Sequence, residues 1–354
     1  MRALTLKGSR FDVTTLPDPV PGDGKLLVRP LYTGICGSDL SLRKQMAEAE
    51  AAIPVDQRDD MLPAIVPGHE FSAEIVDIPS GTSTDLRVGD LITALPFTHD
   101  HEGPQCIGLS PVHSGGLASL SCVDAVRAFR VPDGVSADLA ALAEPLAVGL
   151  HAANLASRNP GPNMVIGCGP VGLAVIMALS NAGRGPIIAA DFSPERRKIA
   201  GELGADEVLD PKETSPYTHW QDAGFTPNPM SPLLDRAFSG RPSGMNVFEC
   251  TGVQGVLGSI VTSAPAHSHI VVAGVCPHED KLTPVEAITR ELTIEFSFAY
   301  QPNEFHTALN SIRDHQTLAA RFITSKRPLA DTEAAFDALK SQPDEIKILI
   351  NPQI

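Results

Sequence analysis

Apolar positions follow two different patterns along the chain. In the first ninety residues, short segments of alternating apolar and polar residues are separated by Pro and Gly, as in Arg2 to Leu6, Lys25 to Pro30 and Phe71 to Ile78. This alternation with period two predicts an antiparallel, barrel-like β domain. From Asn163 onward, short apolar runs alternate with segments of helical spacing. That order predicts a doubly wound parallel α/β sheet.

The predicted elements can be placed along the rest of the chain. The helical segments are Arg43 to Met61, Ala137 to Ala156 with a break at Glu144-Pro145, Ser193 to Leu203, Val253 to Ala264, Phe305 to Ile312 and Thr332 to Leu339. The later strands are Pro186 to Ala190, Glu207 to Asp210, Asn246 to Cys250, His269 to Val275, Leu292 to Ser297 and Lys347 to Ile350. Pro96 to Gly116 has no clear period and is predicted to be a loop, and Pro211 to Gly244 is predicted to be a surface excursion or partly disordered.

Length, composition and charge indicate how many domains the chain has, where the protein is found and which partners it can have. A chain of 354 residues is long for a single core, so two domains are expected. There is no run of eighteen apolar residues and no secretion signal, and the six cysteines form no even framework, so a cytoplasmic protein is expected. The formal net charge of −15 argues against nucleic acid and anionic membranes as partners but says little about a small-molecule substrate, which is expected on other grounds.

A glycine-rich turn follows the apolar run that begins at Asn163. Gly167, Gly169 and Gly172 form a Gly-x-Gly-x-x-Gly pattern, with Pro170 and Val171 inside it. In a dinucleotide-binding turn the first glycine permits the tight bend, the second admits the pyrophosphate and the third lets the helix pack near the strand. The helix N-terminus then faces the phosphates. Because glycine loops also occur in plain turns, this pattern alone leaves both interpretations open.

An acidic residue after the next apolar run raises the odds of a cofactor site. Asp191 lies nineteen residues beyond Gly172. A carboxylate there can hold both ribose hydroxyls of NAD and repel the extra phosphate of NADP, so we predict NAD. The alternative for Asp191 is a helix N-cap before Ser193. Arg196 either covers the adenine ribose or is a solvated helix charge.

Four side chains could hold a metal ion. Cys36, His69, Glu70 and Glu144 come from separate turns and offer the sulfur, nitrogen and oxygen ligands that zinc takes. Each also has an ordinary structural explanation: a buried thiol, a polar turn or the end of a helix. Their separation in sequence does not decide between these explanations.

The order of several motifs along the chain favours metal binding over the ordinary structural explanations. Gly-Ile-Cys-Gly-Ser-Asp at 34–39, Pro-Gly-His-Glu at 67–70, Glu-Pro-Leu-Ala-Val-Gly-Leu-His at 144–151, the glycine loop and Asp191 span nearly the whole chain. In this order they resemble the zinc-containing medium-chain dehydrogenase/reductase family, and most closely its sorbitol and threonine dehydrogenase branch. The resemblance implies a GroES-like catalytic domain of residues 1–148 and 299–354 around an NAD-binding Rossmann domain of residues 149–298.

The resemblance also implies roles for residues. Cys36 and His69 would ligate a catalytic zinc, Glu70 would be a nearby carboxylate that exchanges with water, and Glu144 would take the place of a second cysteine. Asp39 would hydrogen-bond the ligand histidine. Ser38 would be the catalytic hydroxyl beside the substrate oxygen.

This sequence departs from the family pattern in the acidic segment Met46 to Asp60, which lengthens the spacing between Cys36 and His69, and at two candidate sites. Many relatives carry a histidine three residues past the catalytic serine, which relays its proton, and this chain has Ser41 there. Many also bind a structural zinc through four closely spaced cysteines, where this chain has only Cys106 and Cys122. A mixed site with His99, His101 and His113 is the alternative, but we predict one catalytic zinc per subunit and no structural zinc.

Further features of the cofactor domain are expected from the resemblance. Thr251, Gly274 and Val275 close two strands at their carboxyl ends, where doubly wound sheets bind ligands. The strand from Leu292 to Ser297 would pair with its copy in a second subunit, giving a homodimer or homotetramer. Lys347 is expected to be a surface charge, with a position at the active-site cleft as the alternative.

The leading hypothesis is a zinc-dependent dehydrogenase that transfers hydride between a secondary alcohol or polyol and NAD. One alternative is a zinc-free, NADPH-dependent enone or quinone reductase of the same superfamily. The other is a non-catalytic nucleotide-binding protein, which would not need Cys36, His69, Glu144 and Ser38 together.

Overall fold

A computed structural model describes residues 1–100, 103–222 and 244–354 of the chain. The described residues form two compact units. The first consists of Met1–Glu144 and Phe305–Ile354, and the second of Pro145–Glu304. Within the described ranges, no helix combines the length and the apolar character that crossing a membrane requires.

The strands can be given in chain order. Those before the glycine loop are β1 (Arg2–Lys7), β2 (Arg10–Thr15), β3 (Lys25–Gly34), β4 (Glu70–Asp77), β5 (Leu91–Ala94), β6 (Phe97–Asp100), β7 (Gly103–Cys106), β8 (Ser121–Asp124) and β9 (Ala128–Arg130). Those from the loop onward are β10 (Asn163–Ile166), β11 (Ile187–Ala190), β12 (Glu207–Leu209), β13 (Asn246–Glu249), β14 (His269–Val272), β15 (Thr293–Phe296), β16 (Ile323–Pro328) and β17 (Lys347–Asn351).

The α-helices of the described residues fall into the same two units. In the first unit they are Gly37–Ala52, Arg58–Met61, Ala137–Ala140, Gln316–Ala319 and Thr332–Ser341. In the second they are Pro170–Asn181, Pro194–Glu202, Pro216–Asp222, Val256–Ser263 and Pro284–Arg290. Two further helices, Ala143–Leu155 and Pro302–Asp314, include the residues at which one unit gives way to the other.

The first unit is built on a seven-stranded sheet of order β16-β17-β3-β4-β5-β9, with β8 also pairing with β3. All its pairs are antiparallel except β16 with β17. Strand β3 buries alternate residues, and Leu26 and Val28 pack against Phe71, Ile75 and Ile92. The antiparallel domain predicted from period-two alternation is therefore confirmed.

The second unit is a six-stranded parallel sheet of order β12-β11-β10-β13-β14-β15. From β10 the chain moves first to one side, through β11 and β12, and then to the other side, through β13 to β15. The carboxyl end of β10 is thus the switch point at which doubly wound sheets bind ligands. The core of this unit contains Met164, Val247 and Ile270 from three adjacent strands. The predicted α/β architecture is confirmed.

Three local predictions need correction. The segment Pro96 to Gly116 is not only loop, because β6 and β7 pair as a hairpin within it. The described part of Pro211 to Gly244 contains a helix whose Trp220 is fully buried in the core, so this part is not a loose surface excursion. The remainder of that segment lies outside the described residues.

The third correction concerns two helix boundaries. The helix predicted from Arg43 begins at Gly37. The predicted break at Glu144-Pro145 falls earlier, between Ala140 and Ala143, and the second helix continues through Pro145. Proline is tolerated there because the N–H groups of the first helical turn have no partner within the helix.

Candidate active site

Two adjacent strands bring three metal-binding side chains together. Cys36 lies just past β3, at the start of the helix Gly37–Ala52, and His69 directly precedes Glu70, the first residue of β4. The pairing of β3 with β4 sets Gly34 opposite Glu70. Ligand atoms of Cys36, His69 and Glu70 all lie within 4.8 Å of one another.

The chemistry of this cluster fits a zinc ion. Thiolate, imidazole and carboxylate are its usual protein ligands, and at about 2.0–2.3 Å from one ion they span a similar distance. Burial alone would lower the pKa of His69, but the Asp39 carboxylate and Cys36 raise it well above its ordinary value. The imidazole therefore lies in a negatively charged environment, which a cation would balance.

Asp39 connects two of the candidate ligands. Its carboxylate is buried, and Oδ2 accepts a hydrogen bond of 2.9 Å from the backbone N–H of Cys36. Oδ1 lies 3.5 Å from His69 Nδ1, at the long limit of a hydrogen bond. With Nδ1 facing Asp39, Nε2 is the nitrogen available to a metal. Ser38 Oγ lies 3.2 Å from that Nε2, so a hydroxyl stands beside the ligand atom.

Glu144 is buried in the same unit but does not belong to the group of three. It lies in the first turn of the helix Ala143–Leu155. Its charge contributes to the raised pKa values of two groups near the cluster, Lys347 and Cys106. The assignment of Glu144 as a metal ligand remains a prediction.

The expectation that Lys347 is a surface charge is wrong. Lys347 is only 1% exposed and begins β17. Its ammonium group donates hydrogen bonds of 2.8 and 2.6 Å to the two carboxylate oxygens of Glu70. Burial alone would lower the pKa of Lys347, but Glu70 and Cys36 raise it. The residues around Lys347 do not reveal this contact, because its partner is 277 positions away in the chain.

The two candidate sites at which this chain departs from the family pattern can also be located. Ser41 Oγ donates to the carbonyl of Gly37 within the helix. Within the described residues, Cys106 and Cys122 belong to no group of three close metal-binding side chains. Burial raises the pKa of both thiols to about 11, so without a bound metal both are neutral near pH 7.

The histidines considered for a mixed site do not form one in the described part of the lobe. His113 Nε2 instead contacts Asp100 Oδ2 at 2.8 Å, and this contact joins the end of β6 to the following turn. His99 is exposed, and His101 lies outside the described residues.

Each of the three glycines in the loop of the second unit is suited to its position for a different physical reason. Gly167 has a φ of +94°, a conformation that favours glycine. A Cβ on Gly172 would lie 1.8 Å from the carbonyl oxygen of Gly167, so the helix could not approach the strand. A Cβ on Gly169 would meet nothing within 4 Å. The space beside Gly169, at the N-terminus of the helix that begins at Pro170 and Val171, suits a pyrophosphate.

Asp191 follows β11 and faces this loop. Its Oδ2 accepts a hydrogen bond of 2.7 Å from Cys168 N–H, and Oδ1 accepts one of 2.8 Å from Ser193 N–H. The N-cap of the following helix is Ser193, whose hydroxyl accepts from Arg196 N–H, so Asp191 is not that cap. Arg196 is half-buried in the first turn of the helix. Each carboxylate oxygen of Asp191 retains a lone pair for a ribose hydroxyl.

Glu249, a buried acidic residue that was not predicted as a site residue, fixes the turn at the end of β13. The Glu249 carboxylate accepts hydrogen bonds from the N–H groups of Thr251 and Gly252. A Cβ on Gly274 would lie 2.5 Å from the same carboxylate, and Val275, the next residue, is exposed. The one sequence feature that could have indicated this role is an acidic residue at the end of an apolar strand, directly before the Cys-Thr-Gly turn.

The two glycines give a matched pair of variants. We expect Gly172→Ala to lower the melting temperature by several degrees, because overpacking costs about 1–3 kcal/mol. We expect Gly169→Ala to leave the melting temperature unchanged but to weaken NAD binding at least about tenfold, which corresponds to 1.4 kcal/mol. Thermal melts and NAD titration of both variants test this. Equal damage to both melting temperatures would show that the space at Gly169 is not reserved for a ligand.

Together, these two units define a class: oxidoreductases that pair a metal-binding catalytic unit with a nucleotide-binding sheet. Comparison with known proteins gives the family. The family described as "Alcohol dehydrogenase GroES-like domain" matches residues 22–133, and "Zinc-binding dehydrogenase" matches residues 170–314. The chain belongs to the zinc-containing medium-chain dehydrogenase/reductase family, in its sorbitol dehydrogenase-like branch.

Individual relatives agree with this placement. The chain is 31% identical to the (R,R)-butanediol dehydrogenase of Bacillus subtilis over 95% of each chain. It is 26% identical to the sorbitol dehydrogenase of Gallus gallus, over 94% of this chain and 91% of that one. The crystal structure of 2R,3R-butanediol dehydrogenase from Bacillus subtilis superposes with a TM-score of 0.79, at 28% identity and 99% coverage of each chain. The chain is therefore an alcohol dehydrogenase of the zinc-dependent type, and these relatives give no support to the zinc-free reductase.

Proposed function

We propose that this enzyme oxidises a secondary alcohol or polyol to a ketone, with NAD as the hydride acceptor and one zinc ion per chain. The observation that carries the proposal is the cluster of half-buried Cys36 with buried His69 and Glu70, in which Asp39 is bonded to one ligand and close to another. The butanediol and sorbitol dehydrogenases among its relatives support a substrate with neighbouring hydroxyl groups.

Each residue at the cluster has its own proposed role in the reaction. A zinc ion in this site supplies Lewis-acid chemistry that lowers the pKa of an alcohol. Cys36 and His69 would hold the ion, with Glu70 and Glu144 as the carboxylate ligands, and Asp39 would fix the orientation of His69. The Ser38 hydroxyl would accept a hydrogen bond from the substrate hydroxyl and take up its proton, and bound NAD would supply the acceptor for the hydride.

Ser38 needs a further acceptor for this proton. A serine hydroxyl cannot retain a second proton, and Ser41 Oγ is committed to a backbone carbonyl in its own helix. We propose that water takes the place of the missing relay histidine. For each alcohol oxidised, one NADH and one proton then appear in solution.

The cofactor proposal depends on Asp191. Its carboxylate lies at the switch point of the sheet, bonded to the glycine loop through Cys168 N–H. A negative charge at this position favours the two ribose hydroxyls of NAD and opposes the phosphate of NADP. Thr251, Gly274 and Val275 are proposed to line the same site from β13 and β14.

An assay with and without chelation tests the proposed function. We expect NAD reduction with vicinal diols and sugar alcohols, abolition of this activity by a zinc chelator, and recovery when zinc is added back. Elemental analysis is expected to give one zinc per chain. Activity that survives complete removal of zinc would contradict the proposal, and two zinc ions per chain would contradict its stoichiometry.

We also propose that the enzyme is a cytoplasmic homodimer or homotetramer. Strand β15 pairs with β14 on one side and has no neighbour on the other in the described part of the sheet. Phe296 and Phe298 are 68% and 88% exposed at this edge, which suits pairing with a second copy. The six free cysteines support a reducing compartment. We expect light scattering to give a mass of two or four chains, and a mass near one chain would refute the assembly.

A further inference from the structure

A segment later in the chain encloses the turn that leads into His69. Residues 108–117, here named the clamp segment, donate three consecutive backbone N–H groups to the three carbonyls that precede His69. The hydrogen bonds are 2.8 Å from Gly115 to Val66, 2.7 Å from Gly116 to Gly68 and 3.1 Å from Leu117 to Pro67. The carbonyl of Gly68 belongs to the same planar peptide group as the N–H of His69. Its hydrogen bond therefore fixes the plane from which the His69 backbone continues.

Two glycines let the clamp segment lie directly against this turn. A Cβ on Gly115 would lie 2.3 Å from the carbonyl oxygen of Pro67 and 2.4 Å from that of Gly68. A Cβ on Gly108 would lie 2.7 Å from the carbonyl oxygen of Gly68. The backbone of Gly115 does not adopt a positive φ, so its conformation does not require glycine. The close approach of the two backbones does require it.

His113 ties the clamp segment to the hairpin of β6 and β7. Its backbone carbonyl accepts a hydrogen bond of 3.0 Å from Gly108 N–H, which closes a loop. Its ring nitrogen Nε2 lies 2.8 Å from Asp100 Oδ2, at the end of β6, and both side chains are only 17% exposed. This contact therefore holds Gly108 where it meets Gly68.

The backbone on both sides of His69 is thus fixed. The pairing of β4 with β3 holds the residues from Glu70 onward, and the clamp segment holds Gly68. The ring of His69 is oriented separately, by Asp39, which faces its Nδ1. A zinc ligand has to lie within about 0.2 Å of its ideal distance from the ion. A shift of the turn before His69 would carry the imidazole away from the position that zinc binding requires.

We propose that the clamp segment is a positioning element for zinc binding, which holds the turn before His69 so that the imidazole reaches the ion at ligand distance. This inference rests on the proposed function, because it requires that the cluster of Cys36, His69 and Glu70 binds zinc. The clamp segment acts through the backbone of Gly68, and none of its side chains is assigned as a ligand of this zinc.

The experiment is a zinc titration of Gly115→Ala. Zinc is added to the metal-free forms of the native enzyme and the variant, in competition with a chromophoric chelator. The added methyl group would push the turn away from the clamp segment and displace His69. We expect zinc to bind about 10- to 100-fold more weakly, as when a group that orients a metal ligand is lost. The visible spectrum of the cobalt-substituted variant should also differ from that of the native enzyme, because this spectrum depends on ligand geometry.

Gly161→Ala is the matched control. A Cβ on Gly161 would lie 1.9 Å from the carbonyl oxygen of Gly244, so this variant is also overpacked against a backbone carbonyl. Gly161 belongs to the second unit, whereas the metal-binding cluster belongs to the first. We expect Gly161→Ala to lower the melting temperature, as Gly115→Ala does, but to keep a zinc affinity within about twofold of the native value. Lower stability without weaker zinc binding separates positioning from folding.

A second pair of variants serves if Gly115→Ala does not fold. His113→Ala loses the contact with Asp100 and should bind zinc about 2- to 10-fold more weakly than the native enzyme. His113→Gln keeps an N–H donor for the carboxylate and should bind zinc like the native enzyme. Equal affinities of His113→Ala and the native enzyme would then overturn the inference.

The outcomes distinguish the inference from the function on which it rests. Folded Gly115→Ala that binds zinc within about twofold of the native affinity overturns the inference, and so does an equal loss of affinity in Gly161→Ala. Native enzyme that binds no zinc at Cys36 and His69 would instead refute the proposed function, so the two failures are distinguishable.

Discussion

Replacement of Cys36 by alanine is expected to abolish zinc binding and nearly all activity. The variant loses the only sulfur in the cluster and leaves an imidazole and carboxylates, which hold zinc less tightly. A bound metal supplies several kcal/mol of transition-state stabilisation. We therefore expect kcat/KM to fall by about 10³–10⁴, corresponding to 4–5.5 kcal/mol. Zinc content by elemental analysis and steady-state kinetics with NAD provide the measurements.

Cys122→Ala is the matched control. Cys122 lies in β8, outside the cluster, and burial raises its pKa to about 11, so it is held as a neutral thiol. This variant should retain both zinc and activity. Cys36→Ala should also retain NAD affinity, because the glycine loop belongs to the other unit. If Cys36→Ala keeps its zinc, or if it loses NAD binding together with the metal, Cys36 is a folding residue and not a ligand.

Replacement of Asp191 by alanine is expected to remove the preference for NAD. In the proposed role of Asp191, the variant would lose two charge-assisted hydrogen bonds to the ribose, each of about 1.5–3 kcal/mol, and the repulsion of a 2′-phosphate. The ratio of kcat/KM with NAD to kcat/KM with NADP should fall at least about 100-fold, or 2.7 kcal/mol. Kinetics with both cofactors, at one fixed alcohol concentration, measure this ratio.

The control for Asp191 is its neighbour Ser193. Ser193 caps the helix Pro194–Glu202 by accepting a hydrogen bond from Arg196 N–H. Ser193→Ala should therefore cost about 1 kcal/mol of stability while leaving the ratio of kcat/KM with NAD to kcat/KM with NADP unchanged. If both variants lose activity with NAD and NADP equally, Asp191 acts only by bracing the loop through Cys168 N–H and does not choose the cofactor.

The architecture could be predicted because its signals are local. Period-two alternation around Val28 and Ile75 and the apolar run that includes Met164 each reflect contacts within one strand or between neighbouring strands. The glycine pattern is also local, since Gly167 and Gly172 contact each other across five residues. Such features are encoded by residues close together in sequence.

The site was harder to predict because its contacts span the chain. Cys36 and His69 meet through the pairing of β3 and β4, and the residues alone left their ordinary structural roles open until the order of motifs was considered. For Lys347 a surface position was preferred over one at the active-site cleft, since a lysine at the start of a strand is usually exposed. Its burial depends on Glu70, which a separate strand supplies. Glu249 bonds locally to Thr251 and Gly252, but its closeness to Gly274 after β14 depends on a separate strand.

Anomalous diffraction at the zinc absorption edge, from crystals of the native enzyme, is the most direct test of a zinc site at Cys36 and His69. We expect one peak per chain, about 2.3 Å from Cys36 Sγ and about 2.0–2.1 Å from His69 Nε2. Crystals of enzyme that reduces NAD with an alcohol, but shows no anomalous peak between Cys36 and His69, would contradict it.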